Sequence, residues 1–307
     1  MNIVFMGTPD FAVPCLQRLI DDGHNVTGVF TQPDKLKGRH GILTPPPVKE
    51  LAVKYDIPVY QPSKMKDGTA LEMLKEANPE LVIVTAYGKI LPAEILHFPK
   101  YGCINIHASL LPLLRGAAPI QWSIINGFDK TGVTSMQMDE GLDTGDMLLS
   151  AETEITEEMN AEELHDILSS LGAQVMSSTI SALIKGELNP VKQDNAKSTY
   201  APMLSRDISP VNWQMTAKEV HNHIRGLYSW PGATALLGGK TVKIHSARLS
   251  PVKGAGPGDI IEKDKRLIVS CGDGCCIEIL TIQAENKKAM PAADFLRGNP
   301  VTQAKFE

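Results

Sequence analysis

The feature that most constrains the fold is a repeated switch between two hydrophobic periods in the first part of the chain. Ile3-Val-Phe-Met6 is a continuous apolar run as long as a buried strand; it stops at Gly7-Thr-Pro9, and Ala12, Leu16, Leu19 and Ile20 then recur at helical spacing. Val26 to Thr31, Leu81 to Ala86 and Cys103 to Ile106 repeat the strand signature. Apolar strands alternating with helices predict a mostly parallel sheet with helices on both faces, a Rossmann-like architecture. No Gly-x-Gly-x-x-Gly follows the first strand. Gly7 therefore reads as a tight turn, and a dinucleotide cofactor is not expected.

At 307 residues, 43% of them hydrophobic, the chain is long for a single core and can fill two. A helical segment from about Ala161 to Lys185 is followed by a stretch rich in Asn, Gln, Ser, Pro and Lys. This predicts a catalytic domain over 1–189, a linker over 190–206 and a C-terminal domain over 207–307. Beyond the linker a helix from about Ala217 to Leu227 precedes short alternating runs at Thr234 to Leu237, Lys240 to Leu249, Leu267 to Cys271 and Cys276 to Gln283. Short strands punctuated by Gly and Pro suggest a small β-barrel, OB-like in type.

Charge is unevenly spread. Residues 1–205 carry 16 Lys and Arg against 25 Asp and Glu, a balance of −9, whereas residues 206–307 carry 14 against 10, a balance of +4. A basic second part suits a polyanionic partner, although an ordinary solvated surface can show the same balance. No run of about eighteen apolar residues is present, and the N-terminus enters Asn2-Ile-Val-Phe-Met-Gly7 with no basic segment or cleavage signal. The expectation is a cytoplasmic protein that does not engage a membrane. The five cysteines form an odd set without a disulfide framework.

Chemistry concentrates in Asn105-Ile-His107-Ala-Ser109-Leu-Leu-Pro112 and, about thirty residues on, in Asp139-Glu-Gly-Leu-Asp143-Thr-Gly-Asp146. Asn105 and His107 lie two apart, hence on one face of a strand and near its C-terminal end, where open α/β sheets bind ligands. An amide, an imidazole and a carboxylate can together polarise a carbonyl, hold its oxyanion and move a proton without a metal or a covalent nucleophile. Taken singly, each has an ordinary use: a hydrogen-bonded structural histidine, a turn-bracing asparagine, a capping aspartate. The acidic run lacks the Asp-x-Asp-x-Asp-Gly ligand order, and Cys271, Cys275, Cys276 and His245 contain no Cys-x-x-Cys pair, so no metal is expected.

The combination is more specific than its parts. Phe5-Met-Gly-Thr-Pro-Asp-Phe-Ala-Val-Pro14, Ala86-Tyr-Gly-Lys-Ile-Leu-Pro92, Asn105 to Pro112, Arg115-Gly-Ala-Ala-Pro-Ile-Gln121 and Asp139 to Asp146 resemble the methionyl-tRNA formyltransferases, within the folate-dependent formyltransferase family. The resemblance continues through Val220-His-Asn-His-Ile-Arg225, Trp230-Pro-Gly-Ala233 and Ala292-Ala-Asp-Phe-Leu-Arg-Gly298. It implies transfer of a formyl group from 10-formyltetrahydrofolate, as co-substrate, to the amine of methionyl-initiator tRNA. Asn105 and His107 would stabilise the oxyanion and Asp143 would assist proton transfer. By the same resemblance Ser109, Leu110, Leu111 and Pro112 bind the folate, and the Ala86 to Pro92 loop helps enclose its pterin. The loop carrying Lys35, Lys37 and Arg39 would grip tRNA phosphates, with the basic C-terminal domain as a second electrostatic surface. Here His40, Gly41 and Ile42 replace residues that are often basic in relatives, and Leu113-Leu114 replaces a commonly basic and aromatic pair. Nothing in the sequence requires more than a monomer. Two other readings use the same residues: a formyltransferase or formyltetrahydrofolate hydrolase acting on a small amine or water, and a folate- or RNA-binding module without chemistry. Gly116 to Gln121 with the charge asymmetry argues against the first, and the intact Asn105, His107 and Asp143 against the second.

Overall fold

The parallel strands of the first half are β1 (Asn2–Gly7), β2 (Asn25–Phe30), β3 (Val59–Tyr60), β4 (Leu81–Thr85) and β5 (Cys103–His107). They lie in the order β3-β2-β1-β4-β5, the doubly wound arrangement that the alternation of periods predicts. Two further strands extend the sheet: β6 (Lys130–Gln137), antiparallel to β5, and β7 (Met147–Glu154) outside it. The computed structural model describes residues 1–37, 41–299, 301 and 305–307, with the backbone alone at Lys37, Glu262 and Lys263. These residues group into two compact units. The first comprises Met1–Gly116, Thr131–Thr153 and His165–Tyr200; the second comprises Ala117–Lys130, Glu154–Leu164 and Ala201–Glu307.

Strand periodicity sorts the central side chains onto two faces. Val4, Met6, Val82, Val84 and Cys103 share one face and form a core with α3 (Thr69–Ala77) and α4 (Ala93–Leu96) through Ala70, Leu74, Ile95 and Leu96. Ile104 and Ile106 point the other way. That face is covered by α1 (Val13–Asp21), itself in contact with α2 (Pro47–Lys54), and by α6 (Ala161–Lys185), which approaches closely at Gly172, where a Cβ would sit 3.3 Å from Ile106 and within 4.0 Å of Cys15 and Val133. The expected helix over 161–185 is thus observed. Asn105 and His107 fall on the face opposite α6, with Asn105 in register with Val84 of β4.

The sequence reading did not include β6 and β7. Thr131, Thr134 and Ser135 interrupt the apolar pattern of β6, yet all three are buried. Burial of a hydroxyl is tolerated when it is hydrogen-bonded. Ser135 Oγ lies 2.7 Å from Thr179 Oγ1 of α6, and Thr134 Oγ1 lies 2.7 Å from the carbonyl of Ser109. Gly7, expected as a tight turn, is instead the last residue of β1, paired with Thr85, and what excludes a side chain is close packing: a Cβ there would come within 2.8 Å of Ala12 and 3.0 Å of the Thr85 carbonyl.

In the second unit, α7 (Ala217–Gly226) opens with a capping box formed by Thr216 and Glu219. The strands β8 (Ala233–Leu237), β9 (Lys240–Lys253), β10 (Ile260–Lys263), β11 (Arg266–Ser270), β12 (Cys275–Ala284) and β13 (Met290–Pro291) form an antiparallel sheet in the order β8-β9-β12-β11-β10, with β13 on β12. It curls over a core in which Val220 and Ile224 of α7 and Phe295 of α8 (Ala292–Gly298) meet Ile244, Val269 and Ile277. The expected barrel is a curled half-barrel: among the described residues the ladder leaves β8 and β10 at its two edges. The last residues bridge them. Leu236 and Glu307 exchange backbone hydrogen bonds of 3.0 Å, and Phe306 N–H donates to the Gly258 carbonyl at 2.9 Å, next to β10. Phe306 is 1% exposed and packs on Trp213 with ring centroids 5.3 Å apart. Also within this unit, α5 (Pro119–Ile125) packs against α7, where a Cβ on Gly226 would meet Ile125 at 2.6 Å.

Candidate active site

Three side chains from two distant segments converge at the C-terminal end of β5. His107 is buried, and its Nε2 lies 3.0 Å from the Leu114 carbonyl. A carbonyl only accepts, so Nε2 carries a hydrogen and Nδ1 is left as the nitrogen that can gain or lose a proton. Nδ1 faces Asp143 Oδ2 at 3.7 Å. The other carboxylate oxygen, Oδ1, lies 3.5 Å from Asn105 Nδ2, a long contact that leaves the second amide hydrogen uncommitted. A third donor joins them: the Gly116 N–H reaches Asp143 Oδ2 at 2.8 Å.

Local sequence explains how each piece is held. The strand period presents Asn105 and His107 on one face. Asp143 sits in the segment between β6 and β7; β6 ends beside the start of β5, with Gln137 opposite Ile104 and the Met138 N–H on the Cys103 carbonyl at 2.8 Å, and the segment that follows carries Asp143 to Asn105 and His107. Within it Asp139 Oδ1 accepts from the Gly141 N–H at 3.0 Å and from the Thr144 hydroxyl at 2.7 Å. Asp143 itself has φ of +53°, a left-handed conformation that aspartate tolerates better than most residues. Gly145 packs directly on the chain of β6: a Cβ there would lie 1.7 Å from the Gln137 carbonyl.

The turn after β5 is held by Thr134 of β6. Its hydroxyl donates to the Ser109 carbonyl at 2.7 Å and accepts from the Leu111 N–H at 3.1 Å. Ser109 is buried with its Oγ donating to the Leu113 carbonyl at 2.6 Å, and Leu111 is also buried, whereas Leu110 and Pro112 are half-buried. Thus Ser109 and Leu111 shape the turn, and Leu110 and Pro112 offer its accessible surface. The Ala86 to Pro92 loop leaves the neighbouring parallel strand and exposes Ala86, Gly88 and Ile90. Thr8, at the end of β1, is tied to it by a 3.1 Å hydrogen bond to the Tyr87 carbonyl.

The whole chain has close relatives. A profile of the family described as Formyl transferase matches residues 1–180, and one described as Formyl transferase, C-terminal domain, matches residues 204–300. A methionyl-tRNA formyltransferase of Trichlorobacter lovleyi is 48% identical over 302 residues, covering 98% of this chain and 95% of the relative. That of Bacillus subtilis is 47% identical over 299 residues, covering 97% and 94%. The chain belongs to the methionyl-tRNA formyltransferase family.

Solved structures agree on the fold at greater distance. An N-formyltransferase from Helicobacter canadensis, in complex with folinic acid and dTDP-3-aminofucose, superposes with a TM-score of 0.71 at 20% identity, covering 92% of this chain and 99% of that one. HypX from Aquifex aeolicus, in complex with tetrahydrofolic acid, gives 0.63 at 18% identity, covering 96% and 47%.

In this formyltransferase the predicted tRNA loop is a short hairpin of Lys35–Lys37 and Ile42–Thr44. Lys35 is exposed on it, Lys37 is described by its backbone alone, and Arg39 lies outside the described residues. Leu36, Ile42 and Leu43 of the hairpin are exposed as well, at 72%, 67% and 61%. Among the described residues no group of three or more His, Cys, Asp or Glu is arranged to hold a metal ion. The sequence reading named Asn105, His107 and Asp143. It did not assign a role to the Leu114 carbonyl, the Gly116 N–H or Thr134, and only the quoted Arg115-Gly116 motif pointed towards one of them.

Proposed function

We propose that this enzyme transfers the formyl group of 10-formyltetrahydrofolate to the free amine of methionine esterified to initiator tRNA. The observation that carries the reading is the convergence of Asn105, His107 and Asp143 at the end of β5, in a chain nearly half identical to named methionyl-tRNA formyltransferases. The folinic acid and tetrahydrofolic acid in the two structural neighbours support a folate donor. Exposed Ala86, Gly88 and Ile90 beside half-buried Leu110 and Pro112 provide apolar surface and accessible backbone, the surroundings that suit a flat heterocycle.

The chemistry asks three things of the protein. As the formyl carbon becomes tetrahedral, its oxygen gathers negative charge, and preorganised donors stabilise it. Asn105 supplies its uncommitted amide hydrogen, and His107 supplies Nδ1–H when that nitrogen is protonated. The amine loses a proton as it attacks; Asp143 Oδ2, beside Nδ1, accepts it and returns it to the departing folate nitrogen through His107 or water. Leu114 and Gly116 serve by fixing the imidazole and the carboxylate. No covalent enzyme intermediate is needed.

The test mixes purified protein with 10-formyltetrahydrofolate and methionyl-initiator tRNA and measures formyl-methionine. Turnover is expected; its absence, with turnover on a nucleotide sugar or on water instead, would assign another acceptor. His107→Ala and Asp143→Ala should each abolish transfer while leaving folate binding largely intact. The tRNA grip is assigned to Lys35, Lys37 and Arg39. Replacing all three should raise KM for tRNA and lower the slope of log affinity against log salt by about three, and an unchanged slope would place the phosphate contacts elsewhere.

A further inference from the structure

One side chain outside every motif of the family resemblance grips the loop of Asp143. Gln193 lies beyond α6, in the stretch that composition assigns to a linker, yet its amide is saturated. Nε2 donates to the Asp143 carbonyl at 2.9 Å and to the Gly145 carbonyl at 2.7 Å. Oε1 accepts from Arg115 Nε at 3.0 Å and Nη2 at 2.8 Å. The orientation of the amide follows from its partners, since carbonyls only accept and a guanidinium only donates. Two residues earlier, Val191 exchanges backbone hydrogen bonds with Met147 at 2.8 and 2.9 Å, so the segment carrying Gln193 is seated on the start of β7.

These bonds form a closed ring. Arg115 holds the Gln193 oxygen through its side chain, and the next residue, Gly116, holds the Asp143 carboxylate through its N–H at 2.8 Å. Asp143 is therefore gripped at both ends: its carbonyl by Gln193, which Arg115 holds, and its carboxylate by Gly116. The grip matters because φ of +53° is an unfavoured backbone state for a residue with a Cβ and persists only where its surroundings impose it. Without the Gln193 donors, the Asp143 and Gly145 carbonyls lose their shared partner, and the segment can relax towards ordinary φ. The carboxylate then turns away from Nδ1 of His107.

We propose that Gln193 is a positioning residue for the transfer step, acting through Asp143 together with Arg115. This rests on the reading of Asp143 as the proton carrier. Gln193→Glu is the informative variant: it is isosteric and keeps an acceptor for Arg115, but it sets a carboxylate oxygen against two carbonyl oxygens. Expected is a fall in kcat of about 10–100-fold, the scale of a lost supporting contact or a displacement near 1 Å, with KM for 10-formyltetrahydrofolate and for methionyl-tRNA each within about twofold of native. Gln193→Ala, which removes the donor without adding charge, should give the same split and carries the test if the glutamate variant does not fold. A kcat within twofold of native in either folded variant overturns the proposal, as does a fall in kcat matched by equal rises in both KM values. Asp143→Asn, assayed in parallel, separates the two claims. If it keeps native kcat, the proton-carrier reading fails and the proposal with it. If it is inactive while the Gln193 variants are native-like, only the positioning role fails.

Discussion

Gly145→Ala tests how tightly the Asp143 loop sets the reaction. Gly145 needs no positive φ; what excludes a side chain is space, because a Cβ would lie 1.7 Å from the Gln137 carbonyl and contacts below 3.0 Å are essentially never tolerated. The added methyl must therefore move by at least about 1.3 Å. The obstacle is backbone in β6, which is paired with β5 and cannot give way cheaply, so the loop moves instead. Asp143 is two residues away and its carbonyl shares the Gln193 amide with that of Gly145. A displacement of about 1 Å in a reacting group costs on the order of 100-fold in rate. Steady-state formylation, assayed well below the unfolding transition, should show kcat lower by about that factor with KM for the folate little changed. The overpacking itself should cost about 1–3 kcal/mol of stability. A variant with that stability loss but native kcat would refute the reasoning, because the loop would then have moved without consequence for the chemistry.

Three further outcomes follow from the second unit. Phe306→Ala should destabilise by about 3–5 kcal/mol, since it empties a site 1% exposed and loosens the tail that joins β8 to the β10 edge; urea unfolding measures it, and a loss below about 1 kcal/mol would show that the tail is peripheral. Gly226→Ala places a methyl 2.6 Å from Ile125 and 3.3 Å from the Gln121 carbonyl, so it should cost about 1–3 kcal/mol and lower Tm. Glu278 is buried and accepts from Arg266 at 2.5 Å and Arg248 at 2.9 Å; the hydrogen bond from Arg266, joined by Arg248, holds its carboxyl below the usual carboxylate range despite burial. A folded pKa below the unfolded value of about 4.3 means that the pair's contribution is complete above that pH and is lost as pH falls through the lower, folded value. Glu278→Gln should therefore lower Tm by about 2–4 °C at pH 7, and the gap to native should close as pH falls through the folded value. A gap independent of pH would assign the loss to packing.

The reading from sequence was most complete where the signal is local. Four of the five parallel strands were legible because each carries an apolar run, buried almost throughout in β1, β4 and β5 and from Gly28 to Phe30 in β2; β3, only Val59–Tyr60, is too short to carry a pattern. The strand β6 was hidden by Thr131, Thr134 and Ser135, whose burial depends on partners elsewhere in the chain. The helix Pro119–Ile125 is legible locally, because its proline suits a first helical turn. That it groups with the second unit is not, because its packing against α7 depends on Gly226, about a hundred residues away.

By itself, then, the sequence determined the alternating architecture, the charge difference between its two parts and the placement of Asn105 and His107 on one face of a strand end. All of these follow from periods of two and 3.6 or from counting. Only the tertiary structure decided that Asp143 meets His107 Nδ1 rather than its Nε2, that Leu114 and Gly116 fix the pair, and that Gln193 closes the ring from beyond α6. Such contacts join segments far apart in the chain through single hydrogen bonds, and a glutamine that makes four of them is spelled no differently from one that faces water.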